Sequence, residues 1–457
     1  AVALAEAGWS VRVYEARAEI GGAARTDELT IPGVLHDVGS AIHPLAAASP
    51  FFRRLPLARH GLEWIHPPLP LAHPLDGGRC VELHRSLDAT AAGLGRDGAA
   101  WASLFGPLTA AWPKLEDDLL GPLLRFPSHP IATARFGLKA LRSATGLAST
   151  KFAGTEARAL FAGLAAHSTL ALDRMGTASF GLVLGTLAHH VGWPFPRGGA
   201  GRITQALAAH LRELGGEIVT DAAIESLVDL PASRSVVLDL TPRQVLAVAG
   251  RDLSNGTRRA LERYRYGTAA FKMDWVLDAP IPWAAAASRG AGTVHLGGTL
   301  EEIAAAEKAV ANGSTPEAPF VLLAQPSMFD DARAPEGRYA VWAYCHVPHG
   351  STRDMTRAIE DQVERFAPGF RDRIVARAAH APADLEAMDA NLVGGDINGG
   401  VQDLTQMLAR PLLRRRPYRL KSQRLYICSS STPPGGGVHG MCGLHAANTL
   451  LDDLPRR

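Results

Sequence analysis

The sequence predicts an α/β fold in which two domains are interleaved along the chain. Three observations support this prediction. A helix, a glycine turn and a strand open the chain, glycine-rich junctions recur in its middle and near its end, and blocks of helices and strands lie between them. Glycine-rich turns between a strand and a helix are typical of nucleotide-binding sheets. Because the junctions are far apart in sequence, one domain must be assembled from separate segments.

The first 22 residues contain the unit on which this prediction depends. An apolar helix over residues 1–8 precedes a strand over residues 10–16, which carries Glu15 near its end, and Gly21-Gly22 follows six residues after that acid. This order is typical of the second half of a βαβ dinucleotide-binding unit, in which the acid accepts hydrogen bonds from ribose hydroxyls. The first strand and its Gly-x-Gly-x-x-Gly turn would lie before residue 1. We therefore expect the chain to be truncated at its N-terminus.

The next elements are predicted from apolar periodicity and from turn residues. Helical pieces are expected over residues 87–124 and 155–189. The glycines at 198–201 open a helix with an apolar stripe, and Gly215-Gly216 ends it. Further extended runs are expected at 217–219, 223–224, 236–238, 271–275, 339–344 and 424–428. A helix ends before Pro368, and a loop over 429–440 leads into a last helix over 444–451.

The composition is that of an ordinary globular protein and excludes several function classes. The chain has 457 residues and a formal net charge of +2, so no strong field attracts nucleic acid. Its four cysteines show no C-x-x-C spacing, which argues for a reducing compartment and against a zinc site or a thiol redox pair. His189-His190 has no acid or cysteine at a ligand spacing, so no metal is predicted. The most apolar region, residues 158–193, is too polar to span a membrane.

The three glycine-rich junctions are the first two glycines, Gly198 to Gly201, and Gly435 to Gly443. Each is able to present backbone N–H groups at a helix N-terminus to an anionic or carbonyl-bearing ligand. Each alone is typical of an ordinary turn, and their order along the chain makes the pattern informative.

This pattern resembles the FAD-dependent phytoene desaturase-like oxidoreductases, and within them the branch called pyridine nucleotide-disulfide oxidoreductase domain-containing protein 2. The resemblance covers nearly the whole chain. Its residues are Gly-Gly-Ala-Ala-Arg-Thr at 21–26, His-Asp-Val-Gly-Ser-Ala-Ile-His-Pro at 36–44, Gly-Thr-Val-His-Leu-Gly-Gly at 292–298, Gly-Gly-Asp-Ile-Asn-Gly-Gly at 394–400 and Pro-Pro-Gly-Gly-Gly-Val-His-Gly-Met-Cys-Gly at 433–443. It implies a glutathione-reductase-like FAD-binding Rossmann domain interleaved with an α+β substrate domain.

The resemblance also implies which residues bind FAD. Glu15 would bind the adenosine ribose with Arg17 close behind it, and Gly21, Gly22 and Arg25 would approach the pyrophosphate and ribityl chain. The remaining implied positions are Val38, Gly39 and Ser40 near the flavin, Ala223 and Ile224 at the adenine, and Gly440 and Met441 against the isoalloxazine ring. Many relatives have Arg where this chain has Ala23.

Several other side chains have two interpretations. A neutral histidine near a flavin would accept a proton, but a hydrogen-bonded loop histidine is favoured for His36, His43, His346 and His439. Asp396 binds a flavin or caps a turn, and the cap is favoured. Trp342 and Tyr344 alternate on a strand and either line a substrate pocket or belong to the core. No catalytic residue is identified.

The resemblance implies hydride removal from an apolar or amphipathic organic substrate to FAD, with dioxygen or a quinone as electron acceptor. An alternative is a flavin-dependent isomerase or saturase of polyene lipids, and another is a scaffold or regulatory protein without flavin. The FAD domain is expected over 1–60, 190–262 and 390–457, and the substrate domain over 61–189 and 263–389. Abundant Ala and Arg suggest a bacterial cytosolic protein, and a eukaryotic relative would be mitochondrial.

Overall fold

The structure is a computed structural model that describes residues 1–421 and 423–454. The helices and strands of these ranges are numbered in chain order. The helices are α1 Val2–Glu6, α2 Pro44–Ala48, α3 Pro50–Arg54, α4 Leu87–Gly93, α5 Gly98–Leu119, α6 Pro130–Ala140, α7 Ala144–Lys151, α8 Thr155–Ala166, α9 Ala178–His190, α10 Gly201–Glu213, α11 Pro242–Ala249, α12 Asn255–Glu262, α13 Leu300–Ala311, α14 Thr356–Phe366, α15 Pro382–Met388, α16 Leu404–Leu408 and α17 Met441–Asp453.

The strands are short in the glycine-rich segments and long in the rest of the chain. They are β1 Arg12–Tyr14, β2 Thr26–Asp27, β3 His36–Asp37, β4 Trp64–Ile65, β5 Leu69–Leu75, β6 Arg79–Leu83, β7 Phe195–Pro196, β8 Glu217–Val219, β9 Val236–Leu238, β10 Ala269–Leu277, β11 Ala291–Leu296, β12 Val321–Ala324, β13 Tyr339–Val347, β14 Ile374–His380, β15 Arg419–Lys421 and β16 Leu425–Ile427.

The long strands form one seven-stranded sheet in the order β14-β10-β13-β12-β11-β5-β6. It is antiparallel except for the parallel pair β11 and β5. Alternate residues of β10 are buried against different layers. Phe271, Met273 and Trp275 pack in a core with Ile359 of α14, whereas Ala270 belongs to the core of the helices α4 to α9. Both faces of the sheet are therefore covered, and this explains why β10 is buried along its whole length.

The glycine-rich segments form two smaller sheets. Strand β1 pairs in parallel with β8, and β16 pairs in parallel with β9 and antiparallel with β15. Parallel pairing requires a crossover through other elements, and here the partners of β1 and β16 lie about 200 and 190 residues away in sequence. The interleaved α/β organisation predicted from the sequence is confirmed. The domain boundaries stay a prediction.

Two local predictions differ from the structure. Residues 223–224, predicted as extended, belong to no strand. The chain turns at Asp221, whose φ of 53° is left-handed and interrupts an extended run. Residues 36–44, predicted as irregular, contain β3 and the start of α2. Their short length explains why periodicity did not reveal them.

A buried ion-pair network joins the glycine-rich segments to the large sheet. Arg333 is fully buried and donates to Asp37 over 2.9 Å and to Asp330 over 3.1 Å. The two carboxylates accept, in turn, the backbone N–H groups of Ala200 and Gly198, each over 2.7 Å. Buried charges remain stable when they are paired and hydrogen-bonded, so this network holds three distant segments of the chain in one arrangement.

Candidate functional site

A cavity of about 2100 Å³ is lined by all the major segments. One part of its wall comes from β1, from the residues that follow it and from residues 222–224, and we call this part the glycine end. Another part comes from α5, α6 and α9, and we call it the helical end. Sites for one drug-sized ligand have volumes of roughly 300–1,000 Å³. The cavity therefore has room for a cofactor and a second molecule.

Glu15 lies at the glycine end, directly after β1. Its backbone N–H donates to the carbonyl of Val219 over 2.8 Å, and its own carbonyl accepts from Ala222 over 2.9 Å. These bonds fix its position beside Ala223 and Ile224, which line the same wall. One carboxylate oxygen accepts the backbone N–H of Arg17 over 3.0 Å, and the second is available for a ligand hydroxyl. The structure thus brings together these four residues, which the sequence placed at the adenosine.

The wall beside Glu15 is formed largely by backbone. Gly21, Gly22, Gly39 and Ser40 all line the cavity. A Cβ atom on Gly39 would lie 2.5 Å from the carbonyl oxygen of Ala23, so only glycine permits the two segments to approach so closely. A smooth wall of this kind lets a ligand approach the main chain.

Four of the twelve predicted cofactor residues do not line the cavity: Arg25, Val38, Gly440 and Met441. Val38 is buried and donates its N–H to the carbonyl of Arg25 over 2.9 Å. Gly440 has a φ of 68° and packs against Phe52. These residues support the wall from behind, and their direct contact with a cofactor stays a prediction.

Near the C-terminus, the wall is formed by Gly436, Gly437, Val438 and His439. The N–H of Met441 donates to Nδ1 of His439 over 3.1 Å, so the first N–H of α17 is already used. Among the described residues, Nε2 of His439 and Nδ1 of the cavity-lining His43 are buried without a hydrogen-bond partner. Burial lowers the pKa of both imidazoles to about 4, so both are neutral at pH 7. Unpartnered polar atoms of this kind are expected where a polar ligand binds.

The middle junction does not offer its N–H groups to a ligand, and that prediction is wrong. Asp330 and Asp37 accept the N–H groups of Gly198 and Ala200, and Thr26 accepts the N–H of Gly201 over 3.0 Å. The start of α10 is therefore capped by the protein's own acceptors.

The large sheet contributes a floor that contains a charged pair. Lys272 and the cross-strand residue Tyr344 both line the cavity, as does Trp342. Trp342 and Tyr344 thus line a pocket, which was one of the two interpretations of their alternation. The ammonium of Lys272 donates to the carboxylate of Asp274, and both side chains are almost completely buried.

The surroundings of Asp274 keep it ionised. Burial alone raises the pKa of this carboxyl, but Lys272, His380 and His36 outweigh burial, and the pKa lies below its ordinary value. Burial lowers the pKa of Lys272 against the attraction of Asp274. His36 and His380 each place a ring nitrogen 3.4 Å from the carboxylate. Burial lowers the pKa of His36 to about 4. The cavity therefore contacts an ionised pair flanked by imidazoles.

The helical end is lined mainly by apolar side chains from three helices. They include Leu119 of α5, Phe136 of α6, and Phe180, Val183 and Leu184 of α9. A surface of this composition binds the apolar part of a ligand by the hydrophobic effect.

The fold and the cavity define a FAD-dependent oxidoreductase with a separate place for substrate. The model of the family described as flavin containing amine oxidoreductase matches residues 1–251, more than half of the chain. The chain therefore belongs to this family. The predictions of an enzyme, of FAD as cofactor and of a phytoene desaturase-like oxidoreductase are confirmed.

Individual proteins show the same relationship. The chain is 28% identical to pyridine nucleotide-disulfide oxidoreductase domain-containing protein 2 of Mus musculus, over 98% of this chain and 90% of that protein. It is 26% identical to a phytoene desaturase (lycopene-forming) of Pseudescherichia vulneris, over 61% of this chain and 60% of that protein. The crystal structure of an oxidoreductase from Methanosarcina mazei superposes with a TM-score of 0.65 at 14% identity, over 99% of this chain and 96% of that one. This last likeness supports the fold alone.

The sequence did not identify the residues that line the helical end or the Lys272–Asp274 pair. The helical end reads as ordinary core, because its apolar spacing is that of any amphipathic helix. The charged pair had a signal, since two charges interrupt the apolar strand β10 at alternate positions. The preference for a cap at Asp396 is confirmed, because this residue accepts the N–H groups of Gly267 and Asn398. Among the described residues, no helix is both long and apolar enough to cross a membrane.

Proposed function

We propose that the protein removes hydride from an apolar or amphipathic organic substrate and transfers it to FAD. The observation that carries this proposal is the shape of the cavity, whose glycine end suits a dinucleotide and whose helical end suits an apolar molecule. FAD accepts the hydride, and dioxygen or a quinone reoxidises it.

The glycine end fits FAD by its chemistry. Glu15 binds the adenosine ribose, Ala223 and Ile224 meet the adenine, and the backbone around Gly21, Gly22 and Gly39 allows close approach of the pyrophosphate and ribityl chain. The unpartnered nitrogens of His43 and His439 provide neutral polar contacts farther along the wall. Arg17, Arg25, Val38, Ser40, Gly440 and Met441 support this arrangement.

The floor of the cavity handles the proton. Formation of a double bond in the substrate releases one hydride and one proton. The Asp274 carboxylate, held ionised beside Lys272, receives the proton through that ammonium group. The helical end orients the substrate and excludes water by apolar contact.

The first experiment measures the visible absorption spectrum of the full chain after addition of FAD and removal of the excess. We expect a bound-flavin spectrum that bleaches when an apolar polyene is added without oxygen. Reduction by a short aliphatic amine but not by the polyene would overturn the apolar assignment. A protein that retains no flavin would overturn the whole proposal.

A pair of variants tests the ribose assignment. Glu15→Gln removes the charge that binds the ribose hydroxyls, and we expect FAD to bind roughly 10- to 100-fold more weakly, as for charge-assisted hydrogen bonds of about 1.5–3 kcal/mol. Glu28→Gln is the matched control, because Glu28 is exposed and does not line the cavity. Equal affinities of the two variants would show that Glu15 does not bind the cofactor.

A further inference from the structure

The helical end opens beside an exposed apolar surface. Five large apolar side chains between residues 121 and 142 are exposed to solvent: Leu123 by 42%, Phe126 by 83%, Ile131 by 70%, Leu138 by 77% and Leu141 by 50%. We call these five residues the entry patch. Large contiguous apolar patches are rare on monomeric proteins and mark interaction surfaces.

The geometry of α6 makes the patch continuous. Ile131 and Leu138 are seven residues apart, so they lie on one face two turns apart. Leu141, three residues after Leu138, extends this face beyond the end of the helix. The backbone N–H of Gly176 donates to the carbonyl of Leu141 over 3.1 Å, which brings the neighbouring Met175, exposed by 65%, to the same edge.

The opposite face of the same helix lines the cavity. Thr133, Phe136 and Ala140 point inward, and Leu123 and Leu141 both line the cavity and contact solvent. The entry patch therefore surrounds an opening of the helical end. An apolar molecule that leaves the patch would reach the cavity without crossing a polar surface.

The charge of this segment distinguishes it from the rest of the protein. Residues 119–155 contain the basic residues Arg125, Arg135, Lys139, Arg142 and Lys151 and no Asp or Glu, although the whole chain has 47 basic and 45 acidic residues. The acid just before the segment, Asp118, is buried and accepts the N–H groups of Ser128 and His129 at the start of α6. An apolar helix face with basic neighbours and no acids is complementary to an anionic lipid surface.

We propose that the entry patch docks the protein on an anionic lipid bilayer, from which the apolar substrate enters the helical end directly. The docking surface is argued from the patch and its charge, and the entry route rests on the proposed function. The patch lies in the interface of one leaflet, with Arg135 and Lys139 facing the lipid headgroups.

The test is flotation of the FAD-loaded full chain with vesicles of phosphatidylcholine alone or with phosphatidylserine added. We expect binding to the phosphatidylserine vesicles that weakens with salt. Ile131→Ser/Leu138→Ser should reduce it at least tenfold, and Arg135→Glu/Lys139→Glu should abolish the preference for phosphatidylserine. Val228→Ser/Val375→Ser and Arg357→Glu are the matched controls, because these exposed residues lie outside the patch.

Each outcome decides between the possible occupants of the patch. No flotation with either vesicle, or equal flotation of the patch and control variants, would overturn the docking proposal. A patch variant that only converts a dimer into a monomer in sedimentation would assign the patch to a second copy of the chain. Because flotation requires no substrate, it separates the docking surface from the proposed reaction. Normal flotation by a protein whose flavin no apolar substrate reduces would refute the reaction and leave the surface standing.

Discussion

The glycine end and the helical end belong to one cavity but are built differently. The glycine end is made by backbone, where Gly39 and its neighbours let two segments meet. The helical end is made by side chains of α5, α6 and α9. A backbone-built wall requires particular residues at particular positions, whereas many apolar residues satisfy a side-chain wall. The difference predicts that the two ends respond differently to substitution.

The largest effect is expected where the glycine-rich segments meet the sheet. Lys272→Met leaves Asp274 buried without its cation, and removing one partner of a buried pair costs about 3–5 kcal/mol. Lys308→Met removes an exposed pair with Asp173 and should change the free energy of unfolding by less than about 1 kcal/mol. Chemical denaturation measures both. A similar small change for both would show that the buried pair is not held as described.

The next effect tests the backbone wall itself. Gly39→Ala places a Cβ atom against the carbonyl of Ala23, and overpacking of this kind costs about 1–3 kcal/mol. We expect FAD affinity to fall with it, because the wall must shift. Gly250→Ala is the control, since no atom lies within 4 Å of its added Cβ. Unchanged FAD affinity in Gly39→Ala would break the comparison at this end.

The buried histidines predict an acid-sensitive fold. Burial lowers the pKa of His73 to about 4 from an ordinary 6.5, so the unfolded chain binds a proton more readily than the folded one. Stability from this neutral group is complete above pH 6.5 and falls as the pH decreases toward 4, by about 2 kcal/mol at pH 5. Urea denaturation between pH 7.5 and 5 should show a shallower decline in His73→Gln, which keeps a donor for the carbonyl of Gly298. Parallel curves for the two proteins would contradict this assignment.

The smallest effect is expected at the helical end. Val183→Ala removes two methyl groups from its wall, and the lost contact should weaken binding of an apolar polyene by about 1 kcal/mol, roughly fivefold. FAD affinity should stay unchanged, as it should in the control Val375→Ala on the far strand β14. Titration of the flavin spectrum reports both affinities. A change in FAD affinity alone would mean that the ends are not separate sites.

The sequence predicted the glycine end much better than the helical end. Eight of the twelve predicted cofactor residues line the cavity, because a carboxylate after a strand and glycines at close approaches leave position-specific signals. Arg25 and Met441 do not line it, since which face of a turn a residue presents depends on the packing behind it. The apolar residues Phe180 and Val183 carried no signal that separates a substrate wall from core. The Lys272–Asp274 pair was overlooked because it interrupts β10 at two positions only.

The ion pairs of Arg333 have a mechanical consequence. Opening the protein like a clamshell between the sheet and the glycine-rich segments would strip Asp37 and Asp330 from their shared guanidinium, and separating a buried pair in this way is strongly unfavourable. The two halves are therefore riveted together, and large hinge motion is a poor way to admit a bulky guest. Traffic has to pass through a fixed side door, with only small helices and loops moving aside.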